Sequence, residues 1–280
     1  MCASTDEQID EVGQWAQRKL GLLGGYLHPY TTIMKGQKWC KGYHYIDAFA
    51  GSGRPKLREI QRFIDGSPRI ALNLQHPFTS YTFIEQEPRR VAQLGALLTE
   101  YPAATILVRQ GDCNDVLTNE VAPQITFASH QRAVVFLDPF TMNLDWATIA
   151  ALAATGAIEI FMNIPTMAVN RGVLYNDTTK VTPEKVERMN RFWGSDDWQE
   201  TIYEEVTNLF GEVSDRKVRP TTAKRLGNLY RERLYTVFPF VSDVAVMKNT
   251  TGQPIYCLVF AGHNETGNKI ATELVRKMGG

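Results

Sequence analysis

The sequence predicts an α/β chain with a doubly wound, mostly parallel seven-stranded sheet that ends in an antiparallel hairpin. Five short apolar runs alternate with segments of helical period, the pattern of a parallel sheet covered on both faces. The fourth run, Ala133 to Leu137 (AVVFL), is apolar throughout, as a strand buried on both faces requires. Two further runs, 241–248 and 254–261, are joined by Asn249-Thr250-Thr251-Gly252, which reads as a hairpin turn.

Size and composition bound the function. The 280 residues are enough for one large domain, here taken as 1–280, and 44% hydrophobic with 21% charged residues is ordinary for a soluble globular chain. Lys+Arg and Asp+Glu balance at 30 each, so no global field marks a nucleic-acid binder, although a local patch could. No run reaches the roughly 20 apolar residues of a membrane span, and the N-terminus has no signal-peptide core. Cys2, Cys40, Cys113 and Cys257 are scattered without metal-ligand spacing. They read as reduced thiols of a cytoplasmic protein, with no metal site.

In chain order, 5–20 and 22–35 read as a pair of helices filling 1–38, the second bent at His28-Pro29. They either pack on the sheet edge or form a lid. The first strand, 42–48, runs into Asp47 and the loop Ala50-Gly51-Ser52-Gly53. Glycines there let backbone approach a ligand that a Cβ would push away. A polar insertion, 54–65, precedes a helix with Ser67 as N-cap and Pro68 at its first position. Arg54, Lys56, Arg58, Arg62 and Arg69 read either as a solvated loop or as a basic lip for an anionic substrate.

The second strand, 80–84, ends at Glu85, placed to accept hydrogen bonds from ribose hydroxyls. The third, 105–110, ends at Gly111-Asp112-Cys113. Asp112 suits an adenine amino group, and Asp115 is expected to cap the next helix. The fourth ends in Asp138-Pro139-Phe140: a carboxylate to accept from a planar amino group, a stiff turn, and a ring to stack on a base. The fifth, 157–162, ends in Asn163, which either lines the substrate side or satisfies loop backbone.

Residues 166–213 read as an inserted helical subdomain whose Trp193, Trp198, Tyr203 and Phe210 form a small core. Residues 214–233 carry seven Lys/Arg on what is either a solvated helix face or a set of phosphate contacts. A last helix, 267–278, closes the chain.

The runs YIDAFAGSG, GSPRIALN, YTFIEQEPRR, VVFLDPF followed by LDWATIAAL, and EIFMNIP together resemble the three-Cys-motif partner family (TcmP), most strongly over 20–170. That family is regarded as class I methyltransferase-like, with a Rossmann-like sheet. It takes its name from an adjacent three-cysteine protein that resembles radical S-adenosylmethionine enzymes. The resemblance implies S-adenosylmethionine as cofactor, with Asp47, Ala50, Gly51 and Gly53 at its methionine end, Glu85 at the ribose, and Asp112 with Cys113 at the adenine.

Asp138-Pro139-Phe140 is similar to the Asp-Pro-Pro-Tyr turn of amino-group methyltransferases, one proline short. Thr141 follows where the family commonly has glycine. Asp138 would orient the acceptor lone pair, and Phe140 would stack on an unpaired or flipped-out base. Asn163 and Arg54 would lie on the substrate side. The expected function is methylation of an amino group on a nucleic-acid base, beside the three-cysteine protein. The alternative is a cofactor-binding partner without catalysis, docking through the 166–213 segment. A nicotinamide-dependent oxidoreductase fits worst, because no proton-relay arrangement is evident.

Overall fold

In the computed structural model the described residues are 10–175, 181–207, 213–218 and 222–278. Cys2 and Phe210, named above, and Arg219, one of the seven Lys/Arg of 214–233, lie outside them.

The chain is a mixed α/β fold on one mostly parallel sheet. Its strands are β1 (Gly42–Asp47), β2 (Ser80–Glu85), β3 (Ile106–Gln110), β4 (Gln131–Leu137), β5 (Ile158–Ile164), β6 (Phe240–Val241), β7 (Ala245–Lys248) and β8 (Pro254–Gly262). Their spatial order is β3-β2-β1-β4-β5-β8-β6, with β7 also paired to β8. β1 pairs in parallel with β2 on one side and β4 on the other. The strand order therefore reverses beside β1, and the crevice outside its carboxyl end is where such sheets bind ligands. β8 runs antiparallel between β5 and the β6/β7 edge.

Eight strand segments stand where seven strands were expected, because the run 241–248 is interrupted. The cause is Ser242. Its N–H donates to Phe260 O (2.9 Å), while its hydroxyl, not its carbonyl, accepts from Phe260 N (3.0 Å), so a side chain replaces one rung of the ladder.

The helices are α1 (Trp15–Lys35), α2 (Ser67–Leu72), α3 (Pro88–Glu100), α4 (Cys113–Val116), α5 (Trp146–Ala154), α6 (Thr166–Gly172), α7 (Pro183–Trp193), α8 (Trp198–Ile202), α9 (Ala223–Leu234) and α10 (Glu265–Met278). Alternation along each strand builds two cores. Tyr45, Phe83, Val134, Phe136, Phe161 and Phe260 face α1 and α10. Ile46, Ile84, Val135, Leu137, Ile160 and Met162 face α5, α7 and α9.

Three expectations change. The N-terminal pair is one helix: α1 passes through Pro29, because Tyr26, Leu27, Tyr30 and Thr31 are buried on both sides of it and packing outweighs the lost backbone bond. The polar insertion is not loose. Glu11–Val12 pairs in parallel with Lys56–Leu57, which pairs with Arg62–Phe63, making a small three-stranded cover beside the glycine loop. The 166–213 segment holds three helices and then a two-stranded antiparallel ribbon, Glu204–Thr207 with Val213–Val218. Phe192, Trp193, Trp198 and Tyr230 are buried in the same core as the sheet face. Among the described residues no helix is long and apolar enough to cross a membrane.

Candidate functional site

The carboxyl ends of β1 and β4 open into a cavity of about 770 Å³, a size that suits a cofactor-scale ligand. Ala50, Gly51, Gly53, Asp138 and Phe140 line it, so the glycine loop and the Asp-Pro-aromatic turn share one space. Gly51 and Gly53 have φ of +61° and +74°, a region closed to most side chains. A Cβ on Gly51 would meet nothing within 4 Å, so its backbone lies open to an incoming molecule. Gly66 N–H donates to Gly53 O (3.0 Å), and a Cβ on Gly66 would stand 3.0 Å from that oxygen. This contact pins the loop to the start of α2.

Asp47 lies beneath the loop and does not line the cavity, contrary to its expected place at the methionine end. It is fully buried. Its Oδ1 accepts from Phe49 N (3.3 Å) and its Oδ2 from Tyr45 Oη (3.2 Å), so it shapes the loop from below. Burial pushes its carboxyl up to about 7, and nearby Asp138 adds to this, against hydrogen bonds that include one from Ser67. The folded state thus keeps a proton that an unfolded aspartate, near 3.8, has already lost. The stability from this group is complete below pH ~4 and is lost as pH rises through 7. Asp47→Asn is expected to flatten the fall in melting temperature across that window. An unchanged pH profile would refute the assignment.

Glu85 closes the loop from the side. Its Oε2 accepts from Gly51 N (2.9 Å), and its Oε1 accepts from Gln86 N (2.9 Å) and Glu87 N (3.0 Å). Glu85 itself does not line the cavity, whereas its neighbour Glu87 does. Asp112 and Cys113 are not among the cavity's lining residues. Asp112, not Asp115, caps α4, accepting from Asn114 N (2.7 Å). Burial pushes the Cys113 thiol up to about 12, an inert thiol. Arg54 also stands outside the lining, its guanidinium 5.7 Å from the Phe63 ring.

Asp138 is the electrostatic centre. Lys19 of α1 pairs with its Oδ2. Asn163 Nδ2 donates to its Oδ1 (2.8 Å), so Asn163 supports Asp138 from behind and does not line the cavity. The Lys19 side chain is only 6% exposed and lies 4.8 Å from the Trp15 ring and 5.9 Å from Phe136. Phe140, 55% exposed, stands free at the mouth. Lys19 and Trp15 were not singled out from sequence. The available signal was a lysine in the apolar phase of a helix, between Ala16 and Leu20.

At the rim, Asp10 pairs with Arg90 (2.9 Å), drawing the N-terminal strand over the cavity. Of the basic residues considered for nucleic-acid contact, several are already engaged. Arg69 forms a fork with Glu100 (2.6 and 2.8 Å). Arg231 donates to Ser242 O (2.7 Å), and Arg233 lies over Trp146 and Trp193 (5.0 and 5.4 Å). Arg58 lines the cavity. Among the described residues no cluster of three or more His, Cys, Asp or Glu side chains could hold a metal ion.

No family model matches the chain, and no curated protein matches it. Several solved structures are similar. Protein LPL1258 from Legionella pneumophila is 14% identical, with 86% of this chain and 96% of that one covered at a TM-score of 0.43. The TYW2 protein of M. jannaschii, solved with AdoMet, is 11% identical over 89% of this chain and 75% of its own, at 0.36. The N-terminal domain of EvdMO1, solved with SAH bound, is 12% identical over 86% and 81%, at 0.38. Likeness at that level carries no weight for fold or function, and the site is read from its own geometry.

Proposed function

We propose that this chain is an S-adenosylmethionine-dependent methyltransferase of the class I, Rossmann-like kind, acting on an amino group. What carries the reading is one juxtaposition: the glycine loop after β1 and Asp138-Pro139-Phe140 after β4 line the same cavity at the strand-order switch. The antiparallel β8 set between β5 and the edge strands supports it, since that insertion separates a class I methyltransferase sheet from an ordinary dinucleotide fold.

The residues fit the cofactor. Open backbone at Gly51, in the loop that Gly53 turns, would take its methionine end, held in shape by Asp47. Glu85 would take the ribose with the lone-pair capacity left after its three N–H bonds, beside Glu87. Asp112 and Cys113 remain candidates for the adenine. When bound, the cofactor supplies an electrophilic methyl group. The chain's own work is placement: Asp138 orients an acceptor amine by accepting its hydrogen, and Phe140 holds a flat ring at the mouth. An exposed aromatic next to a carboxylate favours a nucleic-acid base, presented unpaired, as the acceptor. Residues 54–69 and 214–233 would meet phosphates through the cations not engaged internally, and the TcmP-type three-cysteine protein is the partner in this reading.

Calorimetric titration with S-adenosylhomocysteine tests it. One site per folded chain is expected, and no heat from a folded sample would sink the reading. One observation favours a second reading, a cofactor-binding module without catalysis: both oxygens of Asp138 are already engaged, by Lys19 and Asn163. Binding without methyl transfer to any nucleoside-containing acceptor would select it.

A further inference from the structure

At the amino ends of β4 and β5, away from the glycine loop at the carboxyl end of β1, lies a second cavity, of about 390 Å³. It is bounded by the first residues of β4 and β5 and by the later turns of α1 and the start of α10. Its walls are mostly apolar, from Tyr30, Ile33, Met34 and Ile270. Two charged side chains stand in this apolar setting, and the methyl-transfer reading uses neither of them.

The first is Arg132. Its guanidinium lies near two rings, 4.5 Å from Trp39 and 4.5 Å from Phe127. Both rings are largely exposed, at 46% and 65%, so the cation sits at the mouth. Its hydrogen bond runs from Nη1 to the Gln131 carbonyl (2.7 Å), and among the described residues no carboxylate pairs with it. A planar cation packed against aromatic rings still has N–H groups to offer an anion, and its fork suits a carboxylate or sulfonate.

The second is Glu159. It is 9% exposed, and burial raises its carboxyl to about 7, against the Tyr26 hydrogen bond and the nearby Arg132 charge. Tyr26 Oη donates to Oε2. Among the described residues no donor reaches Oε1. A Cβ on Gly267 would stand 3.0 Å from Oε1 and 2.8 Å from Tyr26 Oη, so only glycine leaves the space beside this carboxylate clear. This oxygen faces the cavity with acceptor capacity open to a ligand N–H.

We propose that this cavity is a second ligand site for a small aromatic acid bearing an N–H donor. Its anionic group would lie on Arg132, its ring among Tyr30, Ile33 and Met34, and its N–H on Glu159 Oε1. The site is independent of the adenosyl cavity, since the two lie at opposite ends of the same strands.

The test uses the full chain at about pH 8, where Glu159 is ionised, with indole-3-acetate as probe. Tryptamine (N–H but cationic) and 1-naphthaleneacetate (anionic but without N–H) serve as comparators. Saturable binding of one indole-3-acetate per chain is expected, with 1-naphthaleneacetate weaker and tryptamine not binding. Arg132→Met should weaken indole-3-acetate by about ten- to a hundredfold with an unchanged melting temperature. Arg132→Lys, which keeps the charge but loses the planar fork, should fall between. If Arg132→Met does not fold, the Arg132→Lys loss and the probe ranking decide. No saturable binding, equal binding by tryptamine, or full affinity in the Arg132 variants would overturn the site. Equal binding by 1-naphthaleneacetate would overturn the role given to Glu159.

Discussion

Replacing Asp138 by alanine is expected to destabilise the fold by about 3–5 kcal/mol and to abolish methyl transfer. The destabilisation follows from what remains. Lys19 would keep its ammonium in a site where its side chain is 6% exposed, flanked by Trp15 and Phe136, with no counter-ion. Against a typical total of about 5–15 kcal/mol, that loss is a large share of the stability. Lys19→Met alone should cost less, because Asp138 still accepts from Asn163 and is the more exposed partner, at 16%. The double variant should recover part of the Asp138→Ala loss. Urea melts of the three variants measure this directly. An Asp138→Ala chain as stable as the parent would show that the buried pair does not exist in solution. Activity separates the two roles of the aspartate: a Lys19→Met/Asp138→Leu chain that folds well and still methylates would remove Asp138 from the mechanism.

Glu85→Ala should weaken S-adenosylhomocysteine binding by about a hundredfold or more. One carboxylate satisfies three backbone N–H groups here, at Gly51, Gln86 and Glu87. Deleting it leaves all three unpaired and frees the glycine loop from the end of β2, so binding would have to reorder the loop as well as hold the ligand. Glu85→Gln keeps one acceptor oxygen but turns an amide NH₂ toward an N–H donor. It should therefore lose most, not all, of the affinity. Calorimetry on both variants gives the comparison, and near-parental affinity in Glu85→Ala would exclude this carboxylate from the cofactor site.

The parallel strands were legible because burial on both faces leaves little choice of residue. AVVFL in β4 and AIEIFM leading into β5 are apolar runs of strand length, each followed by a polar residue and proline. The glycine loop and the Asp-Pro-Phe turn were legible because glycine and proline mark turns at strand ends, and the structure brings them to one cavity. What stayed hidden depends on contacts between distant parts of the chain. The pairing of Glu11–Val12 with Lys56–Leu57 involves two residues on each side, too few to leave any period. Lys19 reaches Asp138 across 119 residues, and nothing local in α1 announces its partner. Asp115 was expected to cap this helix and Asp112 to meet the adenine, yet Asp115 lies inside the helical turn. The observed cap, Asp112, is the one in extended backbone with its oxygen on Asn114 N. Pro29 is the converse case: a strong local breaker overruled by the core on either side of it.

The long reach of α1 also shapes how the chain is made. This helix leaves the ribosome before its partners, which lie 119 residues on for Lys19 and 133 residues on for Tyr26. At typical synthesis rates that gap lasts on the order of ten seconds. During it, Leu22, Leu23 and Leu27, all buried in the finished protein, have no sheet to pack on. The nascent chain therefore carries an apolar helix awaiting its sheet, the kind of surface that chaperones bind.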